Sequence, residues 1–174
     1  IGRKETDIYP VNFSLILNCM FVYVAKMYGE MRGRKIDTDD MVKAIKETFY
    51  VPEEKAFKLG TANKKLSVLG NALAVLAGAG GKETAERLVS QKGMIPVTLS
   101  MNAFRYDALL LFGDKYKKHI IDDIKDKYGR MLEKGATTFW ETELGGEDFG
   151  GAGSMCHGWS AIPVYYLSVL GKDL

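Results

Sequence analysis

The strongest constraint on the fold of this chain is a regular alternation in the character of its predicted helices. Hydrophobic periodicity predicts seven helices and almost no strand. The first, third, fifth and seventh are largely apolar, which is typical of helices enclosed by others. The second, fourth and sixth carry charges on one face, as outer helices do. The predicted ranges are 12–31, a helix after the capping stretch 37–40, then 66–79, 82–91, 100–112, 114–128 and 159–170.

This alternation predicts antiparallel helix hairpins arranged in two concentric layers. Inner-to-outer connections are short and contain glycine, as expected for tight hairpins. Outer-to-inner connections are longer, with a small β-hairpin predicted around Pro52, and they collect on one rim. We therefore expect an all-α fold, a partial toroid of about three and a half of the six hairpins that close a ring. The functional site is expected on the long-loop rim, because long connections in compact domains are often functional.

The chain of 174 residues is long enough for one domain with a core of its own. An open arc would leave apolar flanks on its edge helices, which predicts a missing N-terminal half, a partner copy of the chain or a rearranged edge. The sequence starts at Ile1 without an initiator methionine or a signal peptide pattern, so we expect an internal cut or a processed end. Residues 1–174 are accordingly interpreted as a single domain, the C-terminal half of a toroid.

The charge pattern narrows the range of partners. The formal net charge is +2 and basic residues are interleaved with acidic ones, so no surface for nucleic acid or a membrane is predicted. The longest apolar stretch, 15–25, contains Asn18 and is too short to cross a bilayer. Cys19 and Cys156 lack metal-ligand spacing, so both are predicted to be free thiols, and no metal or cofactor is expected.

The segment GATTFWETELGGEDFGGAGSMCHGWSAIP near the C-terminus contains the candidate functional residues. Trp140 precedes Glu141 on a long rim loop, so an indole on which a sugar can pack stands beside a carboxylate able to activate water. Glycosidases use pairs of such carboxylates. The structural alternative is a buried aromatic ring next to a solvated acid, and three more carboxylates, Glu143, Glu147 and Asp148, share the loop.

The two histidines also have structural alternatives. His157 stands where the seventh helix is predicted to start, and either His157 or the nearby Ser154 can serve as a helix cap. No nucleophile elbow accompanies them, so a serine hydrolase is not supported. His119 lies on the charged face of the sixth predicted helix and is expected to be exposed. The glycines of the loop are interpreted as flexibility near a ligand.

The run GATTFWE, followed by a polar loop and then S-x-x-HGWSA-x-P, resembles the C-terminal part of the catalytic domain of bacterial α-L-rhamnosidases and related six-hairpin glycosidases. The resemblance extends over roughly residues 66–170 and includes the run MNAFRYDALLLFGD. It implies an (α/α)6 toroid that hydrolyses terminal sugars with inversion. By the same resemblance Glu141 matches the general base, Trp140 a wall of the sugar pocket and His157 a contact to sugar hydroxyls. Trp159 joins them as a further binding residue, and the general acid is implied to lie upstream of Ile1.

The resemblance predicts an inverting glycosidase that acts on a carbohydrate and is incomplete as this chain alone. Two alternatives stay open at this point. One is a non-catalytic helical module that binds carbohydrate through the rim, for which Trp140 matters and Glu141 does not. The other is an assembly surface that forms a homo-oligomer through the open edges. Thr142 follows Glu141 at a position where α-L-rhamnosidases often have arginine, which leaves the identity of the sugar open.

Overall fold

The computed structural model describes residues 13–171, and this part of the chain is mostly helical. The expected all-α fold is confirmed. Within this range seven α-helices follow one another: α1 Leu15–Met31, α2 Asp39–Phe49, α3 Val68–Leu76, α4 Lys82–Ser90, α5 Asn102–Leu110, α6 Lys117–Glu133 and α7 Ile162–Leu170.

Two pairs of very short strands lie in the connections between helices. The strands are β1 Tyr50–Val51, β2 Ala56–Phe57, β3 Leu66–Ser67 and β4 Met94–Ile95. β1 and β2 pair antiparallel, with Pro52 opening the turn between them and Lys55 closing it in the left-handed region at φ +51°. The hairpin predicted around Pro52 is therefore confirmed. β3 and β4 pair in parallel, which ties the start of α3 to the connection between α4 and α5.

The helices form an inner and an outer layer. α3 lies in the middle of the inner layer and packs along both α1 and α5. Outer helices α2 and α4 pack against the inner helices that precede them. α7 returns to the inner layer, where the Tyr166 hydroxyl donates to the Asp107 carboxylate of α5 at 2.7 Å. The result is the expected partial toroid, three antiparallel hairpins followed by a seventh helix.

Helix α3 is almost completely buried because its side chains are small or aliphatic. Its one amide, Asn71, is fully buried as well. The Asn71 side-chain oxygen accepts the N–H of Phe57 at 2.7 Å, and its amide group donates to the carbonyl oxygens of Phe57 and Ser67. Because these hydrogen bonds are made, burying the Asn71 amide leaves no unpaired polar group in the core. Asn71 therefore fixes β2 against the inner layer.

Helices α1 and α7 differ from α3 because each leaves apolar side chains in solvent. The exposed residues include Leu17, Phe21, Val24 and Met31 on α1, and Val164, Tyr165, Leu167 and Val169 on α7. The sequence predicts that other helices enclose α1. Among residues 13–171 this is wrong, because the buried positions of α1 form a single stripe through Leu15, Cys19 and Val22. Apolar flanks on the two edge helices agree with the open arc that the sequence predicts.

The long rim connection begins and ends at residues other than those expected. α6 continues past Tyr128 to Glu133, because Met131 packs into the core one turn beyond the expected end. α7 begins at Ile162, because Gly158–Ser160 form a separate 3-10 turn and Pro163 occupies the first helical turn. The connection therefore spans 134–161. None of the helices in residues 13–171 combines the length and the apolar character needed to cross a bilayer.

Candidate functional site

The two halves of the C-terminal motif lie side by side and run in opposite directions. The paired segments are 138–141 and 154–157. The Glu141 N–H donates to the Ser154 carbonyl oxygen at 2.9 Å, and the His157 N–H donates to the Phe139 carbonyl oxygen at 2.7 Å. Backbone hydrogen bonds thus bring the segment that carries Trp140 and Glu141 against the segment that carries His157, although a glycine-rich turn separates the two in sequence.

Trp140 is buried beneath the turn that follows it. The residue is 8% exposed, and its backbone N–H donates to the Met131 sulfur at 3.4 Å. The ring lies directly under Gly145. A buried indole beside a partly exposed Glu141 is the arrangement that the structural alternative predicts. The part of the ring that reaches the surface faces a shallow pocket of about 410 Å³, shared with Glu147.

Replacing Gly145 by alanine should displace the Trp140 ring and lower the free energy of unfolding by about 1–3 kcal/mol. Gly145 has a φ of +59°, and an added Cβ would lie 2.5 Å from Cε3 of Trp140. Urea unfolding and the tryptophan emission spectrum measure the two effects. Gly150→Ala is the matched control, because Gly150 has a φ of +70° with no atom within 4 Å of an added Cβ. Equal losses in both variants would argue against tight packing of Trp140.

Glu141 is held by its backbone between two rim connections. Its N–H is bonded to Ser154, and its carbonyl oxygen accepts the N–H of Leu99 at 3.1 Å. Leu99 belongs to the connection between α4 and α5. The Glu141 side chain is partly exposed, and within residues 13–171 its carboxylate has no hydrogen bond or ion pair. A fixed backbone with a free, solvent-accessible carboxylate suits a group that accepts a proton from water.

The neighbouring carboxylates differ from Glu141 in their partners. Glu143 accepts a charge-assisted hydrogen bond from Arg130. Asp148 accepts the backbone N–H of Phe149 at 2.8 Å. Glu147 is exposed on the short 3-10 turn that follows. Two of the four acids that the sequence leaves equivalent are therefore engaged in structural contacts.

His157 lines a pocket of about 410 Å³ at the C-terminal end of α6. Met131, Phe139 and Cys156 contribute to its mainly apolar wall, whereas Trp140 and Glu141 are not among its lining residues. The His157 ring contacts the Trp159 ring edge to face, with centroids 5.7 Å apart. Trp159 is 77% exposed. An apolar hollow lined by an imidazole, with an exposed indole packed against that imidazole, can bind both the C–H face and the hydroxyls of a sugar.

Comparison with known proteins identifies a solved structure with a similar architecture. No protein-family model matches this sequence, and no curated protein matches it. A solved structure does, a rhamnosidase from Klebsiella oxytoca with rhamnose bound, at a TM-score of 0.70 and 21% sequence identity. The chain has a rhamnosidase-like fold. The match covers 90% of this chain and 34% of the other, so this chain spans about a third of the rhamnosidase's length. An identity this low shows the shared fold and leaves activity and substrate as proposals.

The rhamnosidase-like fold also buries a charge cluster between α5 and α6 that sequence reasoning missed. Arg105 has no exposed surface, and its guanidinium donates to Asn102 at 2.9 Å and to Asp123 at 3.1 Å. Tyr106 and Lys127 also donate to Asp123, at 2.6 and 2.7 Å. A buried cation is tolerated when it is paired and hydrogen-bonded in this way. The signal in the sequence is a basic residue in the middle of a predicted inner helix.

His119 belongs to this cluster, so the expectation that it is exposed is wrong. Its Nε2 lies 3.1 Å from Nη2 of Arg105. Because a guanidinium only donates, the ring accepts here and is neutral. Burial and then the Arg105 charge lower the pKa of His119. Burial alone would raise the pKa of Asp123, but Arg105 and the hydrogen bonds from Lys127 and Tyr106 outweigh it and lower that pKa to about 2.

The two cysteines are free thiols, as predicted, with Cys19 buried and Cys156 exposed. Burial raises the pKa of the Cys19 thiol to about 12, so it stays protonated and serves as a small core residue. In the part of the chain that the structure describes, no group of three or more histidine, cysteine or acidic side chains is placed to hold a metal ion.

Proposed function

We propose that this chain is the base-bearing part of an inverting glycoside hydrolase of the α-L-rhamnosidase type. The observation that supports this most directly is the pairing of 138–141 with 154–157, which holds the segment of Glu141 against the segment of His157 within a rhamnosidase-like fold. In this proposal residues 1–174 form the C-terminal half of a six-hairpin catalytic domain. Glu141 removes a proton from water as the water attacks the anomeric carbon.

The partners of Glu141 support this role. Its backbone is fixed by hydrogen bonds to Ser154 and Leu99, and within residues 13–171 its partly exposed carboxylate has no hydrogen bond or ion pair. Trp140 is buried against Gly145 and is absent from the lining of the His157 pocket. In this proposal the indole therefore supports the segment that carries the base and does not form a wall of that pocket.

The other two binding residues divide the recognition of the sugar between them. Trp159 offers a flat, exposed surface for the C–H face of the ring, and His157 offers a ring nitrogen for a hydroxyl. The general acid of an inverting pair, about 6.5–9.5 Å from the base, comes from the remaining hairpins of the toroid. We therefore expect the chain alone to bind sugar and to hydrolyse little.

Titration of the 174-residue chain with L-rhamnose, followed by NMR, tests the binding half of this proposal. The indole N–H signal of Trp159 should shift with added sugar. Trp159→Ala should weaken binding by about fivefold to tenfold, the loss of roughly 1 kcal/mol of stacking. Tyr28→Ala on α1, 47% exposed, is the control and should leave affinity unchanged. An unshifted indole signal, or equal weakening in both variants, would remove the proposed site.

A further inference from the structure

Helix α6 and the loop that carries Glu141 are joined through the carboxylate of Glu143. Its Oε2 accepts the charge-assisted hydrogen bond from Arg130, and its Oε1 lies 3.9 Å from Nζ of Lys127. The two cations are three residues apart on α6, so they lie on the same face of the helix. Each carboxylate oxygen therefore faces its own cation, which fixes the orientation of the Glu143 side chain as well as its position.

This clamp, which consists of Glu143, Arg130 and Lys127, is anchored in the core through Lys127. The Lys127 side chain is 15% exposed, and its Nζ lies 2.7 Å from the Asp123 carboxylate. Asp123 is held in turn by the fully buried Arg105. Arg130 by contrast is half exposed. Because a partly buried ion pair is screened less by water and salt than an exposed one, the clamp does not depend on its exposed cation alone.

Glu143 lies between the candidate base and the turn that covers Trp140. It follows Glu141 by two residues, a length of chain that spans at most about 7 Å. The carbonyl oxygen of Thr142 accepts the Gly145 N–H at 3.1 Å, which opens the turn above the indole. An anchored side chain at Glu143 therefore limits how far the backbone of Glu141 can move from α6.

The backbone hydrogen bonds of Glu141 run to residues of other connections. Its N–H donates to Ser154 and its carbonyl oxygen accepts from Leu99, and both of these residues lie between helices. The clamp ties the same segment to a helix of 17 residues. Since loops open at a lower free energy than packed helices, α6 is the more rigid reference for the position of the base.

We propose that Glu143 is a positioning residue for the reaction, held by Arg130 and Lys127 so that the segment of Glu141 keeps a fixed place relative to α6. The inference rests on the proposed function, in which Glu141 is the base. Glu143 itself neither contacts the sugar nor accepts the proton. Because a displacement of about 1 Å at a reacting group can cost about a hundredfold in rate, the clamp contributes to kcat rather than to sugar binding.

Amide hydrogen exchange of the 174-residue chain, followed by NMR, tests whether the clamp orders the segment of the base. Glu143→Gln should speed exchange of the Glu141 and Leu99 amides about tenfold relative to the amides of α3, which report on the whole fold. Lys127→Met and Arg130→Met should each speed exchange of the same two amides. Equal acceleration of the Glu141 and α3 amides would overturn the proposal, because it would show a loss of overall stability alone.

A double variant and a matched control show whether the cations act through Glu143. Adding Lys127→Met to Glu143→Gln should leave exchange at Glu141 as it is in Glu143→Gln, because the partner is already lost. Additive effects would overturn the proposal. Lys118→Met is the control, since the partner of Lys118 lies on α6 itself, and an equal effect of this variant would also overturn it. Circular dichroism checks each fold, and the two cation variants decide the question if Glu143→Gln is misfolded.

Kinetics of the polypeptide that joins this chain to the helices completing the toroid separate the clamp from the proposed function. Glu143→Gln should lower kcat about tenfold and leave KM unchanged, and azide should not restore turnover because the base is still present. Faster exchange with an unchanged kcat would overturn the positioning role and leave Glu141 as the base. Recovery of turnover with azide would make Glu143 the base and overturn both. Normal turnover in Glu141→Gln would remove the proposed function and the positioning role with it.

Discussion

Glu141→Gln should lower kcat for an aryl α-L-rhamnoside by about a hundredfold or more in a polypeptide that joins this chain to the helices completing the toroid. Glutamine keeps the shape of the side chain but cannot accept a proton from the attacking water. The backbone of Glu141 is bonded to Ser154 and Leu99, so the substitution should leave the segment in place. KM should therefore change little, because the groups that bind the sugar remain. Steady-state kinetics measure both constants.

Two further variants sharpen the test of Glu141. Glu147→Gln removes an exposed carboxylate from the same loop and should leave kcat nearly unchanged. Glu141→Ala should regain turnover with azide, which needs no base, and the product should be a glycosyl azide of inverted configuration. Near-normal turnover in Glu141→Gln would exclude Glu141 as the general base.

Arg105→Met should lower the free energy of unfolding by about 3–5 kcal/mol, the scale for breaking a buried ion pair. Methionine occupies much of the space of the arginine stem but leaves the Asp123 carboxylate, 14% exposed, without its buried cation. Asn102 and His119 lose a donor at the same time. Equilibrium unfolding in urea measures the loss.

The origin of this loss can be separated from a general loss of packing. Adding Asp123→Asn to Arg105→Met should recover part of the stability, because the largely buried carboxylate that has lost its Arg105 partner is then neutral. Lys118→Met is the matched control, since the Lys118–Asp122 pair is an ion pair of α6 that lies in solvent. Its removal should leave the free energy of unfolding nearly unchanged. Similar losses in Arg105→Met and Lys118→Met would show that burial does not set the strength of the Arg105 pair.

The helices were largely predictable because each one has a hydrophobic periodicity that is visible within its own residues. Helix α3 combines small and aliphatic residues on every side, and the structure buries it between α1 and α5. The hairpin at Pro52 was predictable for the same reason, since proline restricts the chain locally. The end of α6 was not predictable, because the burial of Met131 depends on the residues that pack against it and not on the sequence of the helix.

The candidate site was predictable only as a set of residues. Motif resemblance singled out Glu141 and His157, whereas the composition of the loop by itself did not rank its four acids. The structure distinguishes them by distant partners, with Glu143 engaged by Arg130 of α6. It likewise buries Trp140 under Gly145 and draws His119 to Arg105.

The sequence alone determined that this chain forms alternating inner and outer helices, with its candidate chemistry on a long connection near the C-terminus. Only the tertiary structure decided which polar groups are buried, which carboxylates of the loop are engaged and which segments of the rim pair. The physical reason is that helix periodicity depends on neighbours within a few positions. A hydrogen bond such as that from Leu99 to Glu141, or a buried pair such as Arg105 with Asp123, joins residues that only the completed packing brings together.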